Sequence, residues 1–170
     1  MTELYIRNVR ADDCGDICEI YNHYVNNTVI SFEEQAVSEE EMAGRISRIT
    51  RFYPWIVGEL DDRVVGYAYL DRWKERSAYR FTAEDTIYVR HDQAGKGIGK
   101  RLLGNLLEAA KARDIRVIMA VIALPNDSSV GLHERFGFRK AAHFTKVGFK
   151  HGLWIDVGYW ELPIVDGETG

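Results

Sequence analysis

The segment Val117–Leu124 is apolar at every position and stops at Pro125. Such an unbroken run is typical of a central strand whose two faces are both covered, so the chain must place helices on both sides of a sheet. A chain of 170 residues that is 46% hydrophobic can bury one substantial core. We therefore expect a single domain spanning residues 1–170.

The other elements are predicted from the spacing of apolar residues. Spacings of three and four predict helices at 12–26, 38–51, 98–110 and 128–136. The second helix begins with Ser38 and Glu41, which match a capping box. Apolar segments between turn signals predict strands at 5–9, 55–60, 64–70, 82–89, 142–149 and 153–162, in addition to 117–124. The order β-α-α-β-β-β-α-β-α-β-β predicts an α+β fold built on a mixed sheet.

Charge and cysteine content exclude several classes of function. The 22 Lys and Arg against 26 Asp and Glu give a formal net charge of -4, whereas nucleic-acid binders usually carry a basic excess. No stretch approaches the ~20 apolar residues that span a bilayer, and the chain does not begin with a basic segment followed by an apolar one. We expect a soluble cytoplasmic protein with no nucleic-acid or membrane partner. Cys14 and Cys18 fall four apart in one helix, where we expect reduced thiols.

Three glycines alternate in the segment 95–99, directly before the third helix. Backbone N–H groups at the head of a helix attract anions, and glycines let a phosphate approach them. A dinucleotide fingerprint is excluded because Lys100 stands where its third glycine belongs, and a Walker A loop is excluded because Arg101 replaces its Ser or Thr. Lys96, Lys100 and Arg101 favour an anionic ligand, and a purely structural turn is the alternative.

Two segments resemble the motifs of GNAT acyltransferases. Residues 93–99 resemble the acetyl-CoA loop Q/R-x-x-G-x-G/A, with both glycines present and with Ala94 at the first position, beside Gln93. Residues 126–138 resemble the stretch N-x-x-A/S-x-x-x-Y-x-x-x-G-F, with His133 in the tyrosine position.

The resemblance extends over residues 5–162 and is most specific to the phosphinothricin acetyltransferases. It is carried by the segments 20–24, 73–76, 78–79, 124–127 and 149–152, together with Trp154 and 156–158. It implies the GNAT fold, which is a mixed and mostly antiparallel sheet flanked by helices. It also implies acetyl-CoA as co-substrate, a small amino acid such as phosphinothricin or methionine sulfoximine as acceptor, and a homodimer.

Acetyl transfer to an amine needs a base for the amine, stabilisation of an oxyanion and a proton for the departing thiolate. Glu84 shares a strand face with Thr86 and Tyr88, whereas Asp85 points to the opposite face. Residues 82–86 also match the T-x-E-x-T/S pattern whose acidic residue is the general base in the family. An exposed carboxylate or the partner of an arginine is the alternative for Glu84.

By the same resemblance His133 is a candidate general acid, or a second base, because a histidine titrates near neutrality. A structural role is the alternative. Backbone groups of Ile87, Tyr88 and Val89 are implied to pair with the pantetheine arm and to supply the oxyanion donor. Asn126 is implied to contact the pantetheine amides, or it only forms a turn. The pyrophosphate is implied to rest on the amides of Gly95, Lys96, Gly97, Ile98, Gly99 and Lys100.

A carboxylated acceptor requires cationic and aromatic groups. The candidates are Lys74, Arg76, Tyr79 and Arg80. A solvated charged loop would have the same composition. Phe32 is expected to form part of the wall of the acceptor pocket. Three other aromatic residues are expected in the core or in a dimer contact, namely Trp154, Tyr159 and Trp160. No spaced cluster of His, Cys or carboxylate accompanies His23 or His151, so we expect no metal.

Three functions remain open at this point. The first is direct acetyl transfer to a small amino acid in a ternary complex, without an acyl-enzyme, because Cys14 and Cys18 lie away from the glycine loop. The second uses the same co-substrate with a peptide N-terminus, a lysine side chain or a polyamine. The third is a non-catalytic acyl-CoA-binding sensor, which needs neither Glu84 nor His133.

Overall fold

The computed structural model describes residues 3–164. Within that range the chain forms seven strands and four α-helices in the predicted order, which confirms the α+β prediction. They are β1 (Tyr5–Asn8), α1 (Cys14–Asn27), α2 (Glu39–Thr50), β2 (Trp55–Leu60), β3 (Arg63–Arg72), β4 (Thr82–Val89), α3 (Ile98–Lys111), β5 (Val117–Leu124), α4 (Asp127–Arg135), β6 (Arg139–Lys150) and β7 (Leu153–Pro163). None of the helices between residues 3 and 164 is long and apolar enough to span a membrane.

All the strands belong to one sheet, in the order β1-β2-β3-β4-β5-β7-β6. Neighbouring strands are antiparallel except β4 and β5, which run parallel. The pairing of β4 with β5 begins at Thr82 and Val117 and ends at Glu84 and Met119. The mixed, mostly antiparallel sheet is therefore confirmed, and it opens between β4 and β5 beyond Glu84.

Helices cover the sheet on both faces. On one face α1 and α2 pack Ile17, Met42 and Ile49 against β2 and β3. On the other face α3 packs Leu102 and Leu106 against β3, β4 and β5. Each such leucine or isoleucine contributes about 2 kcal/mol by leaving water, so tertiary packing rather than helix propensity holds these helices in place.

Three element boundaries differ from the sequence prediction by more than one residue. Strand β3 ends at Arg72 rather than at 70, because Asp71 and Arg72 still pair with β4. The first helix begins at Cys14 because Ala11–Asp13 form a 3-10 turn. Strand β6 begins at Arg139 rather than at 142, and its register against β7 shifts twice. As an edge strand exposed along most of its length, β6 lacks the apolar alternation that indicates a strand. Ser38 caps α2 as expected, since its hydroxyl accepts the Glu41 N–H at 3.1 Å.

The aromatic residues of β7 have different environments. Trp160 is 2% exposed and belongs to the core, as predicted, whereas Trp154 is 64% exposed. A core position is therefore wrong for Trp154, and its place in a dimer contact stays a prediction. Tyr159 is half-buried, with its ring edge-on to Phe144 at a centroid distance of 5.3 Å.

The two cysteines are buried free thiols in α1, as predicted. The Cys14 thiol donates to the Glu39 carbonyl at 3.1 Å, beneath the start of α2. Burial raises the pKa of Cys18 to about 11. A thiol with so high a pKa is a poor nucleophile at neutral pH.

Candidate active site

A cleft of about 690 Å³ occupies the opening between β4 and β5. Its walls come from both strands, from the segment 93–100 and from α4. Eleven of the residues singled out by sequence line it, namely Glu84, Ile87, Tyr88, Val89, Gly95, Gly97, Ile98, Gly99, Lys100, Asn126 and His133. Lys96 does not line the cleft, and its ammonium donates to Gln93 Oε1 at 2.8 Å. Residues of β4, of the glycine segment and of α4 therefore meet at one site.

The glycine segment has the backbone that an anion cradle requires. Gly95 and Gly97 have φ angles of 78° and 79°, in the left-handed region that favours glycine. A Cβ at either position would meet nothing within 4 Å, so backbone conformation rather than crowding requires these glycines. Gly97 is the N-cap of α3, whose first N–H groups have no partner within the helix. With Lys100 in the first turn, this helix start suits a diphosphate.

Glu84 is the last residue of β4 that pairs with β5, and the cleft begins there. Its carboxyl is on the α1–α2 face of the sheet with Tyr88, as predicted. Burial, together with the negative charges of Asp85 and Asp71, raises the pKa of Glu84 to about 7, and the charge of Lys74 opposes that rise. A carboxylate with a pKa near neutrality is suited to general base catalysis.

His133 and Asp85 form a buried pair on the opposite face of β4. His133 Nε2 lies 2.9 Å from Asp85 Oδ2, and Nδ1 lies 2.7 Å from the Ser129 carbonyl oxygen. A carbonyl only accepts, so Nδ1 carries a proton. Burial alone lowers the pKa of His133, but the hydrogen bond and charge of Asp85 outweigh it and raise that pKa. An imidazolium is thereby favoured, with its two N–H groups directed at Asp85 and at the Ser129 carbonyl. A role as general acid or as second base stays a prediction.

Asn126 has a local structural role. Its side-chain oxygen accepts the Ser129 N–H at 3.2 Å and so caps α4. The cap fixes the start of the helix that carries His133. Because Asn126 also lines the cleft, its contact with pantetheine amides stays a prediction.

The predicted acceptor residues lie outside the lining of the cleft. The Lys74 ammonium lies 5.2 Å from the centre of the Trp73 ring. The Arg80 guanidinium stacks on Phe81 and donates to the Ser77 carbonyl at 3.1 Å. These two, with Arg76 and Tyr79, are exposed in the loop between β3 and β4, and Phe32 is 45% exposed. Lys74 is nevertheless close enough to Glu84 to affect the pKa of its carboxyl.

Several lining residues were not identified from sequence as part of a site, among them Tyr24, Ile30 and Arg135. The Tyr24 hydroxyl donates to the Val89 carbonyl at 2.5 Å and so ties α1 to the end of β4. Tyr24 lies three residues after Tyr21, a spacing that places a residue on the apolar face of a helix. The spacing alone does not distinguish a core residue from one that lines a cleft. Arg135 is the last residue of α4 and belongs to no sequence motif. Its positive charge is the one property that could have marked it as a candidate for binding an anion.

The family follows from a match over most of the chain. The family model described as acetyltransferase (GNAT) domain matches residues 6–158. The chain belongs to the GNAT acetyltransferase family. The resemblance read from the glycine loop and from residues 126–138 is thereby confirmed, as is the predicted fold.

Relatives of this GNAT acetyltransferase are named for small amino-acid substrates. It is 39% identical over 162 residues to the phosphinothricin N-acetyltransferase of Streptomyces viridochromogenes, covering 93% of this chain and 88% of the relative. It is 36% identical to an L-amino acid N-acyltransferase of Escherichia coli, covering 94% and 93%. A crystal structure of a phosphinothricin acetyltransferase from Sinorhizobium meliloti, in complex with acetyl-CoA, superposes with a TM-score of 0.94 at 40% identity, covering 98% and 91%.

Proposed function

We propose that this protein transfers the acetyl group of acetyl-CoA to the α-amino group of a small amino acid, such as phosphinothricin or methionine sulfoximine, in a ternary complex. The names of its relatives support this substrate class. The observation that carries the proposal is a cleft with a glycine cradle at one end and, at the other, a carboxyl whose pKa is about 7.

The residues of the cleft fit acetyl-CoA, which supplies a reactive acetyl thioester when bound. The segment 95–100 offers backbone N–H groups and the Lys100 charge to a diphosphate. The pairing with β5 ends at Glu84, so the β5-facing edge of residues 85–89 can pair with an extended pantetheine arm. Ile87, Tyr88 and Val89 belong to this edge.

Glu84 and His133 divide the proton chemistry between the two faces of β4. We assign Glu84 the role of taking the proton from the attacking amine. With a pKa of about 7, half of the Glu84 carboxyls are ionised near neutral pH and can accept that proton. The imidazolium of His133 is proposed to stabilise the departing thiolate by its charge, and it can give the thiolate a proton only when one N–H leaves Asp85 or the Ser129 carbonyl. Direct transfer is supported by the buried, high-pKa thiol of Cys18, which makes an acyl-cysteine intermediate unfavourable.

The acceptor side is proposed to lie on the α1–α2 face, where the Glu84 carboxyl points. Phe32, Lys74, Arg76, Tyr79 and Arg80 are proposed to recognise the acceptor, with the cations facing its carboxylate. The sequence resemblance also supports a homodimer, and the cytoplasmic location expected from the sequence is part of the proposal.

The proposal is tested by measuring thiol release from acetyl-CoA with a panel of amines. We expect release with phosphinothricin and methionine sulfoximine to exceed release with polyamines, lysine peptides and peptide N-termini. The reverse order would overturn the substrate class. Binding of acetyl-CoA by calorimetry with no release for any amine would instead support the non-catalytic sensor.

A further inference from the structure

A buried lysine at the end of β6 holds the loop between α1 and α2. Lys150, the last residue of β6, is 2% exposed, and its ammonium donates to the Ser31 carbonyl at 2.6 Å. Ser31 is itself only 4% exposed. Burial lowers the pKa of Lys150, and the negative charges of Glu34 and Glu33 oppose that effect. The described hydrogen bond of this ammonium goes to a neutral carbonyl, so the cost of removing the charge from water is only partly offset.

A second contact lies beside the first. A Cβ on Gly148 would lie 2.5 Å from two atoms of the Phe32 ring, closer than real Cβ contacts come. Gly148 therefore allows the ring to sit directly on the backbone of β6. The two contacts, Ser31 with Lys150 and Phe32 with Gly148, are called the latch below.

The same loop is also fixed from α2. The guanidinium of Arg45 donates to both carboxylate oxygens of Glu33, at 2.5 Å and 3.2 Å. Residues 31–33 are thus held between a cation on α2 and a cation on β6. A loop held on both sides keeps one position relative to the sheet beneath it.

The latch is linked to the cleft. The Ser31 hydroxyl lies 2.9 Å from the Tyr21 hydroxyl. The Tyr21 ring in turn lies edge-on to the Tyr88 ring, at a centroid distance of 5.2 Å. Tyr88 lines the cleft, and so does Ile30, the residue before Ser31. Movement of Ser31 would therefore move a wall of the cleft on the face toward which Glu84 points.

We propose that the latch sets the acceptor specificity of the enzyme, with Lys150 and Gly148 as positioning residues that hold residues 30–32 against the acceptor. This inference rests on the proposed function, since it concerns the amino-acid side of the same site. Neither residue lines the cleft, so each acts through the loop that it holds. The glycine cradle at the other end of the cleft is independent of the latch.

The first test compares Lys150→Met with Lys140→Met, a lysine on the same strand that is exposed. We expect Lys150→Met to raise the acceptor KM about ten-fold, as the loss of one hydrogen bond to a charged group predicts. We expect kcat and the Kd for acetyl-CoA, measured by calorimetry, to change less than about two-fold. The Lys140 variant should match the parent. An unchanged acceptor KM, or an equal weakening of acetyl-CoA binding, would overturn the inference.

The second test is a double-mutant cycle, which decides the matter if Lys150→Met does not fold. Gly148→Ala should raise the acceptor KM because the new methyl group displaces the Phe32 ring. In a Phe32→Leu background the same change should have little further effect, because the ring it displaces is gone. Additive effects would contradict a contact between the two positions.

Hydrogen exchange separates failure of the latch from failure of the proposed function. In Lys150→Met, amides of residues 28–36 should exchange faster than in the parent, while those of α3 should not. This result can be obtained without any acceptor. If no amino acid is acetylated but the loop exchanges faster, the substrate proposal fails and the latch survives. Unchanged exchange in 28–36 overturns the latch, whatever the substrate is.

Discussion

Replacement of Glu84 by glutamine should lower activity and raise stability together. Glutamine has the shape of glutamate but cannot take a proton from the amine, so we expect turnover to fall about 100-fold or more. The affinity for acetyl-CoA should change little, because the glycine cradle lies at the other end of the cleft.

The gain in stability follows from the pKa of Glu84, which the fold raises from 4.5 to about 7. In the unfolded chain this carboxyl ionises near its ordinary pKa, whereas the folded protein keeps it protonated until about pH 7. Ionisation therefore destabilises the fold progressively as the pH rises from 4.5 to 7, and by a constant amount above that range. The full effect is about 3 kcal/mol, and water near this half-buried carboxyl reduces it to about 2 kcal/mol.

The assay is thermal unfolding of both proteins at about pH 5.5 and about pH 8.5, where the destabilisation of the parent differs by about 1 to 2 kcal/mol. The Tm advantage of Glu84→Gln should therefore grow by about 3 to 6 °C between the two pH values. Glu75→Gln, which replaces an exposed glutamate of the nearby loop, is the control and should change neither turnover nor this pH dependence. A Tm advantage that stays constant with pH, or full activity in Glu84→Gln, would refute the role of the buried carboxyl.

Three further predictions concern other parts of the site. The kcat/KM for the amine should rise with pH through about 7 as Glu84 ionises, and Asp85→Asn should move the whole profile to lower pH, since Asp85 raises the pKa of both Glu84 and His133. Gly97→Ala should lose about 1 to 2 kcal/mol of unfolding free energy and bind acetyl-CoA more weakly in calorimetry, because alanine is strained at a φ of 79°. Its control, Gly44→Ala in α2, has open space around it and should gain up to about 1 kcal/mol without loss of activity. Mass spectrometry after incubation with acetyl-CoA alone should find neither Cys14 nor Cys18 acetylated, and a stable acetyl-cysteine would contradict direct transfer.

The fold could be predicted largely because its core elements carry strong periodic signals. The apolar run Val117–Leu124 and the leucines of α3 admit few alternatives, and both elements lie where the sequence indicated. Strand β6 was placed less well, because an exposed edge strand buries few side chains. Trp154 was also misplaced, because the spacing of aromatic residues along a strand does not distinguish an exposed one from a core one.

The site could be predicted where a local motif determines the geometry. The alternating glycines of residues 95–99 indicate a backbone that only glycine adopts easily. The period of two in β4 places Glu84 and Asp85 on opposite faces. Contacts between distant segments could not be read in this way. The Asp85–His133 pair joins residues 48 apart and the Ser31–Lys150 contact joins residues 119 apart, so both depend on how the sheet brings strands and loops together.

Under the proposed function, the cleft delivers an acetyl group to an α-amino nitrogen beside Glu84. The most direct measurement is identification by NMR of the product formed from acetyl-CoA and L-phosphinothricin. We predict a single acetyl group on the α-nitrogen, formed by the parent protein and about 100-fold more slowly by Glu84→Gln. Free CoA without an N-acetylated amino acid, or an acetyl group on another atom, would contradict the claim.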